Sequence, residues 1–321
     1  MIARRGFIKA ASMATLAATT PGISMRESYA QAVPNSSGTA PPKLKAPAYA
    51  CDCHHHIYDP ARFPMAPTPG RPAPSHGSMV EFRLLQKRIG TTRHVVVQPR
   101  NYGIDNEVTL DALKQAAGNA RGVAVVRPTI TDAELKRFDD AGVRGIRFSL
   151  GDAASRVVTP DMVEPLAKRI AGLGWHIQFN VDGEQVVEMA DMLRRLPTPI
   201  VFDHLGHPPL PAGTTHPSHA IILGLIDKGR TWVKLSGAYS NTKIGPPDYP
   251  EATKIAQAFV KAAPERLVWG SDWPHPGKPS NDKPDDSLLF DLMSVWAPDE
   301  KTRNRILVNN PEALYGFSKT A

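Results

Sequence analysis

The sequence predicts an α/β fold, a closed (β/α)₈ barrel of the TIM-barrel architecture preceded by a cleavable export signal. Eight short runs of β-branched and apolar residues alternate with longer amphipathic stretches, which is the pattern of a parallel sheet with helical connections. Removing the first 32 residues from the 321 leaves about 290, close to the size of one such barrel. No Gly-x-Gly-x-x-Gly follows the first run, so a dinucleotide-binding sheet is not favoured.

The first 32 residues have the order of elements of a twin-arginine export signal. Arg4 and Arg5 begin the pattern, a weakly apolar run covers residues 10–18, and Ala30-Gln31-Ala32 is a small-x-small cleavage site. The apolar run is too short, and too rich in Ala and Thr, to span a bilayer. We therefore expect export to the periplasm and no membrane segment in the mature form.

The rest of the chain is predicted to be a linker and one barrel. Residues 33–47 are rich in Pro, Ser, Gly and Lys with almost nothing apolar, which predicts a flexible linker before a barrel over residues 48–321. The strands are predicted at residues 49–57, 93–98, 122–127, 145–150, 175–180, 199–204, 231–236 and 266–272. The helix candidates between them are residues 105–117, 132–141, 159–173, 184–196 and 250–263. Thr131-Asp132-Ala133-Glu134 and Thr159-Pro160-Asp161 are typical of helix starts, with a cap, a proline and acids in the first turn.

Charge and cysteine content argue against several classes of partner. The formal charge is +7, of which the predicted signal carries +3 and the rest of the chain +4, without a basic block that would indicate nucleic acid or a membrane surface. The only cysteines, Cys51 and Cys53, are separated by one residue in a predicted strand, which is poor geometry for a disulfide. We expect them to be buried thiols.

Two distant motifs hold the residues best suited to chemistry, Asp52-Cys53-His54-His55-His56 and Trp269-Gly270-Ser271-Asp272-Trp273-Pro274-His275. Alternation along a strand predicts that Asp52, His54 and His56 share one face, with His55 and the two thiols on the other. Two imidazoles beside a carboxylate bind a metal or polarise a carbonyl next to a base. In a barrel the carboxyl ends of the strands meet at one mouth. The residues expected there are His54, His56, Arg127, His204, Ser236 and Asp272.

Together with Phe202-Asp203-His204-Leu205-Gly206-His207-Pro208, these motifs resemble the amidohydrolase superfamily. More narrowly they resemble its branch of 2-pyrone-4,6-dicarboxylate lactonases, sulfomuconolactone hydrolases and galactarolactone isomerases. The resemblance extends from residue 48 to residue 317. It implies a hydrolase that opens a small anionic lactone, carboxylated or sulfonated, with Asp272 as the general base that takes a proton from the attacking water.

The resemblance also implies the role of the histidines. His54, His56 and His204 either polarise the lactone carbonyl directly or, with Asp272, bind one divalent metal, for which Zn²⁺ is slightly favoured over a metal-free site. A binuclear centre of this superfamily needs a carboxylated lysine at a mid-barrel strand end. The fourth and fifth predicted strands instead end in residues 148–150 and 178–180, which contain no lysine.

A substrate pocket for an anion is predicted from three arginines. Arg147 lies in a buried run, where its guanidinium must meet a carboxylate or a ligand anion, and Arg127 and Arg156 are its candidate partners in binding substrate. The alternative for Arg147 is a structural ion pair to an acid such as Asp152 or Asp182. The side chains predicted to orient the substrate are Gln98, Asn101, Gln178, Tyr239 and His275.

Other functions stay open at this stage. Within enzymes, the alternatives are an isomerase of aldaric acid lactones and a metal-dependent decarboxylase of the same superfamily. A non-catalytic periplasmic solute-binding protein is a third class, although such proteins usually have two lobes and eight strand runs favour one barrel. The expected partner is a small anionic lactone and not nucleic acid. The sequence leaves open which lactone it is and whether the chain forms a homo-oligomer.

Overall fold

The structure, a computed structural model, describes residues 32–65, 76–151, 153 and 156–319. The predicted twin-arginine signal therefore lies outside the described residues, except for Ala32. Within these ranges, no helix combines the length and the apolar character that crossing a membrane requires.

Eight parallel strands form one sheet in chain order, and each predicted strand is present. This confirms the predicted eight-stranded α/β barrel architecture. The strands are β1 Cys51–His55, β2 Arg93–Val97, β3 Ala120–Ala124, β4 Val143–Ser149, β5 His176–Asn180, β6 Ile200–Phe202, β7 Thr231–Leu235 and β8 Leu267–Trp269.

Helices follow the strands around the outside of the sheet. The α-helices are α1 Met79–Ile89, α2 Glu107–Gln115, α3 Asp132–Asp140, α4 Val163–Ile170, α5 Gly183–Glu188, α6 Ala190–Arg195, α7 Pro217–Ile226, α8 Pro250–Ala262, α9 Asp286–Trp296, α10 Glu300–Asn304 and α11 Asn310–Tyr315. A π-helical turn, Arg305–Asn309, joins the last two. The 3₁₀ turns are Arg100–Tyr102, Pro160–Met162, Ala171–Leu173, His204–Gly206, Gly213–Thr215, Ala238–Ser240 and Pro264–Arg266.

Of the two helix starts predicted from capping residues, the one at Thr131 is present and the one at Thr159 differs from the prediction. Thr131 is the predicted cap: its side chain accepts from the Glu134 backbone amide, and the Glu134 side chain accepts from the Thr131 amide, which completes a capping box. Thr159 makes no side-chain cap, and a 3₁₀ turn at Pro160 precedes α4. The single helix predicted over residues 184–196 is two short helices separated at Met189.

The apolar core has two layers, on either side of the sheet. The larger layer fills the space between strands and helices, and Phe82, Leu166 and Phe179 are fully buried in it. The smaller layer lines the inside of the barrel and includes the alternate β2 residues Val95 and Val97. Its other members are Cys51, Cys53, Val123, Val201, Trp232, Val268, Tyr315 and Phe317. Both cysteines are therefore buried free thiols, as expected.

The strand-parity prediction for β1 is wrong at Asp52 and at the two thiols, which do not share the face of His55. The register between β1 and β2 shifts between Asp52 and His55, so the simple two-residue alternation breaks within the motif. Cys53 packs inside the barrel and His54, the next residue, also reaches the interior, where its Nδ1 lies 3.2 Å from Lys234 Nζ. His55 stacks on Phe82 of α1, on the outside. Asp52 instead accepts hydrogen bonds from the backbone amide and hydroxyl of Ser271.

Residues following β8 close the barrel against β1. The Asp272 amide donates to the His54 carbonyl at 2.7 Å, and the His56 amide donates to the Trp273 carbonyl at 2.8 Å. Gly270 makes this approach sterically feasible, because a Cβ at that position would lie 2.6 Å from His54 Cβ and 2.7 Å from His54 N. No L side chain fits there unless the two strands separate.

Residues 33–47, which we call the N-terminal strap, contain no helix or strand, and they pack against the barrel. Val33 is only 3% exposed and belongs to the outer core layer, and Leu44 and Ala46 pack against that layer. The composition of residues 33–47 predicted a flexible linker, because few of their side chains are apolar. The contacts made by the strap come largely from its backbone, which composition does not report.

Gly270→Ala is expected to lower the free energy of unfolding by about 1–3 kcal/mol, the usual cost of overpacking, because the added methyl meets β1 backbone. Urea unfolding measures this cost. Gly224→Ala in α7 is the matched control, since no atom lies within 4 Å of its Cβ position. It is expected to raise stability by about 0.5–1 kcal/mol. Equal effects of the two substitutions would contradict the proposed role of Gly270 in closure.

Candidate active site

Four side chains converge where the barrel closes. Asp272 Oδ1 lies 3.5 Å from His54 Nε2, 3.4 Å from His56 Nε2 and 3.8 Å from His204 Nε2. The Nε2 atoms of His54 and His56 are 3.3 Å apart. All four residues are buried. The structure thus brings together the four residues predicted to act in catalysis or to bind a metal.

The other ring nitrogens fix which atoms of His54 and His56 face the cluster as acceptors. His56 Nδ1 lies 2.8 Å from the Val97 carbonyl, which can only accept, so Nδ1 carries the proton. His54 Nδ1 lies 3.1 Å from Asp203 Oδ1, to which it can donate, and 3.2 Å from Lys234 Nζ, from which it can accept. Donation to Asp203 leaves Nε2 as the acceptor, which is the tautomer that a metal ligand needs. In that tautomer both rings present Nε2 lone pairs toward Asp272.

With His54 protonated at Nδ1, acceptors surround one point and none of the described residues places a donor there. Asp272 Oδ1 is buried and accepts no hydrogen bond within the described part of the chain. A buried carboxylate oxygen facing two imidazole lone pairs is unfavourable unless a cation or a donor such as water lies between them. The donor set of His54, His56 and Asp272 therefore fits a metal ion. His54 also forms a second such set with Asp203 and His204.

The charges of the site follow from burial and from these neighbours. Burial raises the pKa of Asp272, but His204, His56 and His54 outweigh it and hold the pKa well below its usual range. Burial, with the nearby Lys234 charge, lowers the pKa of His54 well below its usual value. Burial also lowers the pKa of His204. At neutral pH Asp272 is therefore an ionised carboxylate, beside the imidazoles of His54 and His204, whose pKa values are lowered.

A buried ionic network supports His54 from below. Asp203 Oδ2 accepts from Arg147 Nε at 2.9 Å and from Gln178 Nε2 at 3.1 Å. Lys234 Nζ donates to Gln178 Oε1 at 2.8 Å and lies 3.7 Å from Asp203 Oδ1. Burial lowers the pKa of Lys234 to about 8, so it is still mostly charged at neutral pH. Two cations surround one carboxylate, which keeps Asp203 ionised and able to accept from His54.

The second oxygen of Asp272 is held by a chain of hydrogen bonds. The Tyr239 hydroxyl donates to Asp272 Oδ2. His275 Nδ1 lies 3.3 Å from the Tyr239 hydroxyl, and its Nε2 lies 3.2 Å from Asp286 Oδ2 at the start of α9. Asp272 itself has φ of 65°, a left-handed conformation that costs a non-glycine residue about 1–2 kcal/mol. The surrounding bonds hold this strained residue in place.

The residues predicted to contact substrate are distributed differently from expectation. Arg147 is 4% exposed and its Nε pairs with Asp203, which matches the structural ion pair that the sequence left as an alternative, with a different acid. Gln178 belongs to the same buried network. Tyr239 and His275 contact Asp272 or its partners, as described above. These contacts give Arg147 and Gln178 a supporting position beneath His54.

The remaining predicted substrate residues lie outside the strands and α-helices. The Gln98 amide donates to the Asp105 carbonyl at 2.6 Å and accepts from Thr109 at 2.6 Å, so its polar atoms hold the loop before α2. Arg127 is exposed and its Nε donates to the Val157 carbonyl at 3.2 Å. Asn101 and Arg156 are half-buried. Substrate binding by Asn101, Arg127 and Arg156 stays a prediction.

Sequence reasoning missed several residues that the structure places at the site. Asp203 directly precedes His204 in the motif of residues 202–208. Its role, however, depends on contacts with Arg147, Gln178 and Lys234 of other strands. Asp52 also lies at the closure and not in the acceptor cluster, and burial raises its pKa to about 7 in spite of its bonds to Ser271. For Lys234 the sequence did give an indication, since a lysine within an apolar strand needs a buried partner.

Known proteins resemble this chain over nearly its whole length. The model of a family described as amidohydrolase matches residues 51–317. A 2-pyrone-4,6-dicarboxylate hydrolase from Comamonas testosteroni is 36% identical over 283 residues, covering 85% of this chain and 92% of that protein. A 4-sulfomuconolactone hydrolase from Rhizobium radiobacter is 33% identical over 282 residues, covering 87% and 93%. The apo crystal structure of an Agrobacterium tumefaciens protein is 30% identical, with a TM-score of 0.80, covering 89% of this chain and 99% of the other.

Asp203→Asn is expected to move the His54 proton from Nδ1 to Nε2. Arg147 and Gln178 both donate toward Oδ2, so they would hold the asparagine oxygen and turn its amide group toward His54 Nδ1. Long-range ¹H–¹⁵N spectra of histidine-labelled protein distinguish the two tautomers, with His54 assigned by its absence in His54→Gln. Asp191→Asn, at a side chain that is 87% exposed, is the control. An Nε2–H tautomer in the unmodified protein would contradict this assignment.

Proposed function

Because the chain belongs to the amidohydrolase family, we propose that it is a hydrolase that opens a small anionic lactone by attack of an activated water on the ring carbonyl. Two relatives at 36% and 33% identity support the substrate class, since they are named as hydrolases of a pyrone dicarboxylate and of a sulfomuconolactone. Both substrates combine a lactone ring with an anionic group. The family and the site together favour an enzyme over a solute-binding protein.

The observation that carries the proposal is Asp272 Oδ1, which lies beside three imidazoles and accepts no hydrogen bond from the residues that the structure describes. Asp272 stays ionised because the histidines hold its pKa low, so it is available as a base at neutral pH. A water between Oδ1 and the imidazoles would donate to the carboxylate. In the proposed mechanism Asp272 removes a proton from this water as its oxygen attacks the lactone carbonyl carbon.

Charge that develops on the carbonyl oxygen needs stabilisation within the same cluster. His204 is suited to this role, because its Nδ1 contacts the Ser236 hydroxyl at 2.9 Å and its Nε2 faces the cluster. When the tetrahedral intermediate collapses, the ring C–O bond breaks and the ring oxygen takes a proton. Asp272, protonated in the first step, is the nearest source of that proton.

A single Zn²⁺ is the cofactor we propose, bound by His54, His56 and Asp272 with His204 as a fourth candidate ligand. Ligands of one tetrahedral Zn²⁺ lie about 3.3 Å from one another. The corresponding distances between the first three ligand atoms here are 3.3, 3.4 and 3.5 Å. Zinc would lower the pKa of a bound water and polarise the carbonyl. The donation from His54 to Asp203 is the usual support for such a ligand.

The anionic group of the substrate requires cations near this mouth. Arg147 is engaged by Asp203, so Arg156 and Arg127 are the arginines we propose for direct contact. We also propose that the enzyme acts in the periplasm, a location supported by the twin-arginine pattern of residues 1–32.

Asp272→Asn is expected to lower kcat for lactone opening by about 10²–10⁴-fold, because the amide cannot accept the proton from water. A spectrophotometric assay with a pyrone dicarboxylate and a sulfomuconolactone measures this, and thermal unfolding checks that the variant folds. Asp191→Asn is the control, because its side chain is 87% exposed and pairs only with Arg194 among the described residues. Wild-type turnover by Asp272→Asn would rule out the proposed base. Product analysis by NMR separates hydrolysis from isomerisation.

Zinc is expected to bind the metal-stripped protein at one equivalent and to raise the free energy of unfolding by about 2.7 kcal/mol at a free concentration of 100 times Kd. Elemental analysis and thermal unfolding measure both effects. His56→Gln should lose most of each, whereas His76→Gln, at a side chain that is 49% exposed, should lose neither. Full activity of metal-stripped protein, with no change in zinc content in His56→Gln, would contradict the zinc site and leave Asp272 as base.

A further inference from the structure

We propose that the N-terminal strap, residues 33–47, is a positioning element of the active site, which holds the loop bearing Asp272 in its working geometry. We call residues 270–285, between β8 and α9, the catalytic loop. The strap contacts both ends of this loop and the first residue of α9. The consequence for turnover rests on the proposed lactone hydrolysis, whereas the effect on the loop itself does not.

The strap is hydrogen-bonded to the catalytic loop at both of its ends. Near the start, Trp273 Nε1 donates to the Pro34 carbonyl at 2.8 Å. Near the end, the Ser37 amide donates to the Pro284 carbonyl at 3.0 Å. Trp273 directly follows Asp272 and is fully buried. The strap therefore fixes the residue next to the proposed base as well as the far end of the loop.

A second connection runs through the first residue of α9. Ser36 Oγ accepts from the Asp286 amide at 3.2 Å. The Asp286 carboxylate contacts His275, which contacts the Tyr239 hydroxyl, the donor to Asp272 Oδ2. Three successive hydrogen bonds thus link the residue held by Ser36 to the proposed base. A shift of α9 by a fraction of an ångström would be transmitted to Asp272 along this chain.

The strap has a defined conformation rather than passing loosely over the surface. Gly38 has φ of 70°, and a Cβ there would lie 2.1 Å from Asp285 Oδ2, so only glycine fits without displacing Asp285. Arg88 of α1 donates to the Gly38 carbonyl at 2.8 Å and to the Ser36 hydroxyl.

The remainder of the strap is anchored along α9. Ser287 Oγ donates to the Ala40 carbonyl at 2.7 Å, and the Leu44 amide donates to Asp291 Oδ1 at 2.8 Å.

The strap also borders a cavity beside the site. A cavity of about 340 Å³ lies between the strap, the loop before α8 and the catalytic loop. Ser37 and Tyr239 line it, together with Lys243, Lys278 and Lys283. Tyr239 is the donor to Asp272, so the strap forms part of a wall that adjoins the site.

The strap lies before residue 51, where the match to the family model begins, but the alignments with two relatives, which cover 87% and 89% of this chain, extend into it. It also begins directly after the predicted cleavage site at Ala32. Cleavage there would leave Val33, which is 3% exposed, as the first residue of a strap already seated on the loop. A cut several residues further on would remove the contacts to Trp273 and Asp286.

The test compares protein beginning at Val33 with protein beginning at Ala48, under the lactone assay and hydrogen–deuterium exchange. We expect truncation to lower kcat by about tenfold to a hundredfold with a smaller change in KM, the effect of misplaced catalytic groups. Amide exchange in residues 270–285 should accelerate, and a synthetic peptide of residues 33–47 should restore both kcat and protection. These measurements are made well below the unfolding temperature of each protein.

Point variants decide the question if the truncated protein does not fold. Gly38→Ala should lower kcat and loosen the catalytic loop. Gly174→Ala is its matched control, because it has the same φ of 70° and no atom lies within 4 Å of its Cβ position. Ser36→Ala should act in the same direction, and Ser36→Thr, which keeps the hydroxyl, should recover most of the loss.

Two outcomes would overturn the proposal. One is wild-type kcat in the folded, truncated protein or in both Gly38→Ala and Ser36→Ala. The other is unchanged exchange in residues 270–285 in these variants. Failure of the proposed function would give a different result. The protein beginning at Val33 would then open no lactone, while the exchange experiment would still show whether the strap holds residues 270–285.

Discussion

The close approach of the chain after β8 to the backbone of β1 is the constraint on which the site depends. Gly270 permits this approach, and two backbone hydrogen bonds fix it, from the Asp272 amide to the His54 carbonyl and from the His56 amide to the Trp273 carbonyl. The proposed base, Asp272, itself donates one of the hydrogen bonds that close the barrel. The contacts that close the barrel therefore also place the Asp272 carboxylate against the imidazoles of His54 and His56.

The second requirement is electrostatic. An acceptor cluster of Asp272, His54 and His56 is costly by itself, and the protein maintains it with opposite charge and donors held deeper in the barrel. Asp203, between Arg147 and Lys234, accepts from His54 and sets the orientation of its ring. Tyr239, backed by His275 and Asp286, holds the other Asp272 oxygen. These polar networks preorganise the site, which explains why so many charged side chains are buried within one barrel.

The sequence predicted the strands and the central residues, and failed where geometry departs from regularity. Apolar periodicity located all eight strands, because a parallel sheet buried on both faces needs continuous apolar runs. The face of Asp52 was wrong because of the register shift in β1, which leaves no signal in composition. Arg147 was expected near substrate, but its partner Asp203 is 56 residues away and only the fold brings them together. The strap was expected to be a linker because its contacts are made mainly by backbone atoms.

The most direct measurement of the central claim is lactone hydrolysis in H₂¹⁸O under single-turnover conditions, followed by mass spectrometry of the product. Water activated by Asp272 and directed at the ring carbonyl predicts one ¹⁸O atom, located in the carboxylate that forms as the ring opens. Product without ¹⁸O, as in an isomerisation, or with the label on the carbon that bore the ring oxygen, would contradict attack on the carbonyl by a water held at this cluster.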